Sequence, residues 1–123
     1  MTDIDLHLHT VYSDGAETPE TVVKRAAELG FKTIAITDHD GTGGIAEALE
    51  AGKKYGVRVI PGIELSSEYK CVLPGFDEDI YFMHILGYDI DPENEALQRE
   101  LVSVMERRAF RNEQIRQAFI KRA

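Results

Sequence analysis

Hydrophobic and polar residues alternate strictly at the start of the chain, from Asp3 to His9. Apolar side chains at every second position share one face, and Asp5, His7 and His9 share the other. Because successive side chains of a β-strand point to opposite faces, this pattern predicts a strand whose polar face can carry chemistry.

A helix is predicted next, with Thr18 as its N-cap, Pro19 at its first position and Gly30 at its end. The pattern then predicts a short strand, a second helix and a third strand, at Thr33–Thr37, from Gly43 to Gly56, and at Val57–Ile63. Strands that alternate with helices favour an α/β fold of parallel strands joined by right-handed crossovers.

A fourth strand is predicted at Ile80–Leu86, after a polar segment at Asp77–Asp79, and we expect it to join the parallel sheet. Helical periodicity follows over Asp91–Ala123, as one long helix or as two with a break near Arg107–Asn112. Four strands do not close a barrel and would leave an edge bare, so we expect the chain to be incomplete.

Length, cysteine content and charge limit the classes of protein to which this sequence can belong. The 123 residues suffice for one compact domain, and the single cysteine excludes an internal disulfide. No signal peptide or membrane-spanning stretch is recognisable, so we expect a cytoplasmic protein. Residues 1–98 contain 7 Lys/Arg and 19 Asp/Glu, whereas residues 99–123 contain 7 and 3. The acidic part suits divalent cations, and the basic tail either binds phosphate or is a solvated charged helix.

Histidines and carboxylates gather at the predicted strand ends, where parallel packing would bring them together. The set comprises His7, His9, Asp14, Asp38, His39, Glu64 and His84. One such histidine alone is more often an ordinary polar residue, but the whole set indicates a metal site. Mixed imidazole and carboxylate ligands favour Zn²⁺, Mn²⁺ or Fe²⁺ over Mg²⁺ or Ca²⁺. The surplus of ligands over the needs of one ion suggests two or more ions.

The carboxylates also have structural alternatives. Asp14 would otherwise shape a turn, and Glu64 would otherwise cap the following segment. Asp38 lies on the apolar face of its strand, opposite His39, which favours a structural or supporting role over direct metal binding. Asp5 shares the polar face of the first strand and would orient an imidazole there.

Six short segments between residues 3 and 88 resemble the PHP (polymerase and histidinol phosphatase) domain family. They are Asp5–Thr10, Ser13–Gly15, Thr18–Pro19, Ala35–Asp40, Pro61–Ser66 and His84–Tyr88. The chain looks most like the stand-alone bacterial phosphoesterase branch of this family. That branch includes phosphatases of nucleotide 3′,5′-bisphosphates and 5′-to-3′ exonucleases that act on short RNA.

The resemblance implies the N-terminal part of a distorted seven-stranded βα barrel with a trinuclear, usually Mn²⁺-supported site. Residues 1–90 would be its first βα units, residues 91–123 would begin a helical insert, and the C-terminal part of the barrel would be absent. The metal ligands that it implies are His7, His9, Asp14, His39, Glu64 and His84. Arg108 and Arg111 would bind the substrate phosphate, against the alternative of a solvated helix face.

The ligand set and the family resemblance together predict a metal-dependent phosphoesterase that acts by a metal-bound hydroxide. The resemblance implies nucleotides or short oligonucleotides as its substrates. By resemblance, the family's remaining ligands lie beyond these residues, so a missing C-terminal segment or an oligomer would complete the site. One alternative is an incomplete or non-catalytic metal-binding module. A metal-dependent amidohydrolase is less favoured, because the segments Ser13–Gly15 and Thr37–His39 argue against it.

Overall fold

Seven helices and strands occur in the computed structural model, which describes residues 3–72, 74–75 and 79–122. In chain order they are β1 (Ile4–Leu8), α1 (Pro19–Glu28), β2 (Thr33–Ile36), α2 (Ile45–Tyr55), β3 (Arg58–Cys71), β4 (Asp79–Tyr88) and α3 (Glu95–Arg122). The chain divides into two compact units between Asp91 and Pro92, so that α3 belongs to the second unit.

The four strands form one sheet in the order β1-β2-β3-β4. β1 pairs in parallel with β2, and β2 pairs in parallel with β3. Each parallel step is made through a helix, α1 and then α2, as the alternation of strands and helices predicted. The carboxyl ends of β1, β2 and the parallel part of β3 therefore meet at one edge of the sheet.

The fourth strand corrects the prediction of an all-parallel sheet. β4 runs antiparallel to β3, from Gly62 opposite Tyr88 to Cys71 opposite Asp79. β3 continues to Cys71, well beyond the predicted end at Ile63, and only residues 72–78 separate the two strands. A parallel return needs a crossover of a dozen or more residues, so a connection of this length leads to a hairpin. The predicted polar segment at Asp77–Asp79 lies outside the described residues, except for the backbone of Asp79.

Both helices of the first unit begin and end as their sequences predict. The Thr18 hydroxyl accepts a hydrogen bond from the backbone N–H of Thr21 at 3.2 Å, and Pro19 opens α1. Gly56 closes α2 in the left-handed conformation, with φ of 73°, which glycine adopts without a steric penalty.

The hydrophobic core lies between the two helices and the parallel strands. Its buried members come from α1, β2, α2 and the residue directly before β3: Val23, Ala26, Ile34, Ile36, Ile45, Ala48, Ala51 and Val57. Burial of a side chain such as Ile34, which is fully inaccessible to solvent, contributes about 1.5–3 kcal/mol to folding. This core fixes the parallel strands from which the candidate site extends.

The second unit contains the continuous helix α3, without the break that was one alternative near residues 107–112. The Asn94 side chain accepts a hydrogen bond from the backbone N–H of Leu97 at 2.9 Å and thereby caps its first turn. Among the described residues, no helix combines the length and the apolar content needed to cross a membrane. The seven strands implied by the family resemblance exceed the four present in the described residues.

Candidate metal centre

β1 and the turn after it bring three of the predicted ligands together. His7 and His9 lie two residues apart on β1 and its end, with their ring centroids 5.1 Å from each other. Asp5, which was expected to orient an imidazole, instead accepts a hydrogen bond from the backbone N–H of His7 at 3.1 Å. This contact is with the backbone of the strand, not with a ring.

Asp14 reaches the histidines because the turn folds back on the end of β1. The backbone N–H groups of Ser13 and Gly15 both donate to the carbonyl oxygen of Thr10, at 3.0 and 2.9 Å. A Cβ atom at Gly15 would lie 2.6 Å from the carbonyl oxygen of His9, so only glycine permits this close approach. The turn places one oxygen of Asp14 at 3.3 Å from His9 Nδ1 and the other at 3.2 Å from His39 Nε2.

His39 and Glu64 are held side by side by the backbone. The N–H of Glu64 donates to the carbonyl of Asp38, and the N–H of Asp40 donates to the carbonyl of Glu64, both at 3.1 Å. This isolated parallel bridge extends the pairing of β2 with β3 by a short distance beyond β2. The His39 ring also stacks on the His9 ring, with 4.5 Å between the centroids.

Glu64 is the centre of the cluster, and its residue is only 4% exposed. Its Oε1 lies 2.5 Å from His7 Nε2 and 3.9 Å from His9 Nε2. Its Oε2 lies 2.9 Å from His39 Nδ1 and 3.3 Å from His84 Nδ1. Each carboxylate oxygen therefore faces a different pair of histidines. His84 reaches this position from β4, where it pairs with Ser66 of β3.

All six predicted ligands fall into three overlapping groups of side chains. The groups are His7, His9 and Glu64; His9, Asp14 and His39; and His39, Glu64 and His84. Within each group one donor atom per residue lies within 4.8 Å of the others. Imidazole nitrogens mixed with carboxylate oxygens at these separations fit divalent transition metals. The shared members suit ions that lie close to one another.

The pKa of the Asp14 carboxyl lies below its ordinary value. Desolvation alone would raise this pKa, but the nearby imidazoles of His9 and His39 and two hydrogen bonds together lower it by more. Asp14 is therefore a carboxylate at neutral pH, as an anionic metal ligand must be.

Asp38 follows β2 by two residues and is buried, as its alternation with Ile34 and Ile36 on the apolar face of the predicted strand suggested. It is 2% exposed and accepts hydrogen bonds at 2.7 Å from the backbone N–H of Thr10, from the Thr10 hydroxyl and from the Ser13 hydroxyl. It thus ties the end of β2 to the turn that follows β1.

Asp40 is a supporting residue that the sequence pattern did not single out. It is 2% exposed, its φ of 50° is unusual for a residue other than glycine, and its side chain accepts a hydrogen bond from the backbone N–H of Ser66 at 2.7 Å. This contact fixes β3 two residues after Glu64. The hints in the sequence were its place directly after His39 and its inclusion in the segment Ala35–Asp40, one of those that carry the family resemblance.

The two arginines predicted to bind phosphate lie on α3, three residues apart and exposed to solvent. They are Arg108 and Arg111, and both belong to the second unit of the chain. Their contact with a phosphate group stays a prediction.

Comparison with known proteins identifies the family. The family model of the PHP domain matches residues 5–117, a span that contains all six candidate ligands. The chain belongs to the PHP domain family. The described part of the PHP domain is a mixed α/β fold, consistent with the N-terminal part of the family's barrel.

Two relatives are named as enzymes that act on nucleoside bisphosphates and on RNA. The chain is 40% identical over 115 residues to the 3′,5′-nucleoside bisphosphate phosphatase of Chromobacterium violaceum, covering 94% of the chain and 37% of the relative. It is 40% identical over 109 residues to the 5′-3′ exoribonuclease Rnm of Salmonella typhimurium, covering 87% of the chain and 34% of the relative. The chain thus spans little more than a third of these proteins.

Two solved structures share the fold. One is named an amidohydrolase of Chromobacterium violaceum, with bound sulfate and no metal; it has a TM-score of 0.77 and 41% identity, covering 92% of this chain and 37% of that one. The other, inferred to be a metal-dependent phosphoesterase, comes from Bifidobacterium adolescentis. Its TM-score is 0.68 and its identity 37%, over 81% of this chain and 32% of that one.

Proposed function

We propose that the complete protein is a metal-dependent phosphoesterase that hydrolyses phosphate esters of nucleotides or short oligonucleotides. The observation that carries the proposal is the placement of Glu64, whose two carboxylate oxygens face two different pairs of histidines. A buried carboxylate in this position suits two cations held close together, an arrangement that serves phosphate ester hydrolysis. The names of the two relatives support nucleotides and RNA as the substrate class.

The proposed cofactors are two or three divalent transition metal ions, with Mn²⁺ favoured and Zn²⁺ or Fe²⁺ as alternatives. His7, His9 and Glu64 would hold one ion, and Asp14, His39 and His84 would serve the others. Bound ions of this kind lower the pKa of water towards neutrality and offset the negative charge of a phosphate.

The protein's own groups then bind and orient the ions and the substrate. Glu64 contributes one oxygen to each side of the cluster, and the ring of His9 on one side stacks on the ring of His39 on the other. Arg108 and Arg111 are proposed to bind the phosphate of the substrate through their guanidinium groups. No side chain is required as a nucleophile, because water is the attacking group.

Amide hydrolysis is the second candidate, and the name of the Chromobacterium structure is the observation that favours it. The same organism supplies the relative named as a bisphosphate phosphatase, at nearly the same identity and coverage. We therefore favour phosphate esters over amides.

The test is hydrolysis by the purified complete protein, after its metal has been removed with a chelator and restored as Mn²⁺, Zn²⁺ or Fe²⁺. Substrates are a chromogenic phosphomonoester, a nucleoside 3′,5′-bisphosphate, a short 5′-phosphorylated RNA and a panel of amides. We expect metal-dependent release of phosphate or nucleotides and no amide cleavage. Protein that holds its metal and cleaves only amides, or cleaves nothing, would refute the proposal; in the second case a non-catalytic metal-binding module would remain.

A further inference from the structure

A chain of hydrogen bonds behind the cluster leads from the buried Asp38 to His9. Asp38 Oδ1 accepts from the hydroxyl of Ser13 at 2.7 Å, and Ser13 Oγ lies 3.3 Å from Nδ1 of His9. Ser13 therefore contacts both the buried carboxylate and the imidazole.

The proton positions in the hydrogen bonds from Asp38 through Ser13 to His9 follow from the number of donors that surround each group. The carboxylate of Asp38 also accepts from the backbone N–H and the hydroxyl of Thr10, both at 2.7 Å, so it is surrounded by donors and acts as an acceptor. A serine hydroxyl has one proton, and Ser13 donates it to Asp38. Towards His9, Ser13 Oγ is left as an acceptor, so Nδ1 of His9 must carry a proton to make a hydrogen bond.

A second acceptor leads to the same assignment. Asp14 Oδ1 also lies 3.3 Å from Nδ1 of His9, and a carboxylate can only accept. A neutral imidazole with its proton on Nδ1 keeps a free lone pair on Nε2. Nε2 is the atom of His9 that lies 3.9 Å from Glu64 Oε1.

We infer that Ser13 and Asp38 are positioning residues that hold His9 in the Nδ1–H tautomer, so that its Nε2 is the metal-binding atom. The inference deepens the proposed metal site and rests on it. It gives a structural reason for the proposed grouping of His9 with His7 and Glu64, although His9 also lies within reach of Asp14 and His39. Hydrogen bonds from the second ring nitrogen commonly set the tautomer and the orientation of metal-binding histidines.

The test is the tautomer of His9 in metal-free protein labelled with ¹⁵N-histidine, measured by NMR at a pH where the imidazoles are neutral. The two ring nitrogens give different ¹⁵N shifts depending on which carries the proton. Variants are Ser13→Ala, which removes the acceptor, and Ser13→Thr, which restores a hydroxyl. Ser67→Ala is the matched control, because it removes a serine hydroxyl of β3 that makes no hydrogen bond to a histidine among the described contacts.

We expect the Nδ1–H tautomer in the unchanged protein, in Ser13→Thr and in Ser67→Ala. In Ser13→Ala we expect a smaller share of Nδ1–H, because Asp14 Oδ1 is then the one acceptor left for Nδ1 among the described residues. Titration with Mn²⁺ alone should then show binding weakened roughly 10- to 100-fold in Ser13→Ala and unchanged in the control. An Nε2–H tautomer in the unchanged protein would overturn the inference, as would an unaltered tautomer in Ser13→Ala. The tautomer is read without metal or substrate, so the failure of the proposed activity would leave this result interpretable.

Discussion

The six candidate ligands divide into an inner and an outer set that differ in how they are held. The side chains of Glu64, His39 and His9 are 5%, 19% and 21% exposed, whereas those of His7, His84 and Asp14 are 49%, 56% and 67% exposed. The inner set is fixed by the bridge between β2 and β3 and by the buried hydrogen bonds of Asp38.

This difference indicates which ligands define the site. Every member of the inner set belongs to two of the three groups, and every member of the outer set belongs to one. Loss of Glu64 or His39 should therefore disturb two ion positions, whereas loss of an outer ligand should disturb one. The predictions below test this distinction, from the largest expected effect to the smallest.

The largest effect is expected for Glu64→Gln. The amide removes the negative charge between the two pairs of histidines. Loss of a residue that only orients a metal ligand weakens metal binding roughly 10- to 100-fold, so we expect Glu64→Gln to lower the Mn²⁺ affinity by more than this. The measurement is metal titration followed by elemental analysis. Glu68→Gln is the control, because Glu68 lies on the same strand and is exposed. Equal metal binding by the two variants would contradict the central place of Glu64.

A smaller effect is expected for His84→Ala, which removes one outer ligand. His84 belongs only to the group with His39 and Glu64, so we expect about one ion fewer per chain while the groups that contain His9 still bind. Elemental analysis of the metal-loaded variant gives this number. If His84→Ala bound no metal at all, the division into inner and outer ligands would be wrong.

Asp40→Ala tests the support of the inner set without removing a ligand. It deletes the acceptor for the backbone N–H of Ser66 and leaves alanine in a left-handed conformation. We expect a loss of about 1–3 kcal/mol in the free energy of unfolding, together with weaker metal binding. Chemical denaturation measures the first quantity. Unchanged stability would show that Asp40 does not fix the strand after Glu64.

The smallest effect is expected outside the cluster, at Glu20 of α1, which forms hydrogen bonds with Lys54 and Tyr55 of α2. Hydrogen bonds from Lys54 and Tyr55 and the charge of Lys54 hold the pKa of Glu20 below its ordinary value. A lowered folded-state pKa gives stability that is present above the pKa of the unfolded chain and is lost as pH falls through the folded value. We therefore expect Glu20→Gln to lower Tm slightly at neutral pH and not at strongly acidic pH. A Tm difference that does not depend on pH would contradict this.

Periodicity and caps were sufficient to predict the parallel half of the sheet. The alternation of β1 gave the common face of His7 and His9, and Thr18 and Gly56 bounded the helices where the structure has them. These features follow from local geometry and from turn chemistry, which short stretches of sequence encode directly.

The rest depended on information that is not local. The direction of β4 could not be read from its own apolar run, because an apolar run of this length occurs in parallel and in antiparallel strands. Asp40 was missed because a buried carboxylate bonded to the backbone of another strand leaves no periodic trace. The grouping of the ligands depends on distances between side chains of four separate segments.

The most direct test of the central claim is anomalous X-ray diffraction at the manganese edge, from crystals of the protein loaded with Mn²⁺. We predict at least two anomalous peaks, one on each side of Glu64: the first near His7 and His9, and the second near His39. A single peak away from Glu64, or no peak beside it in fully loaded protein, would contradict the claim that this carboxylate lies between two metal ions.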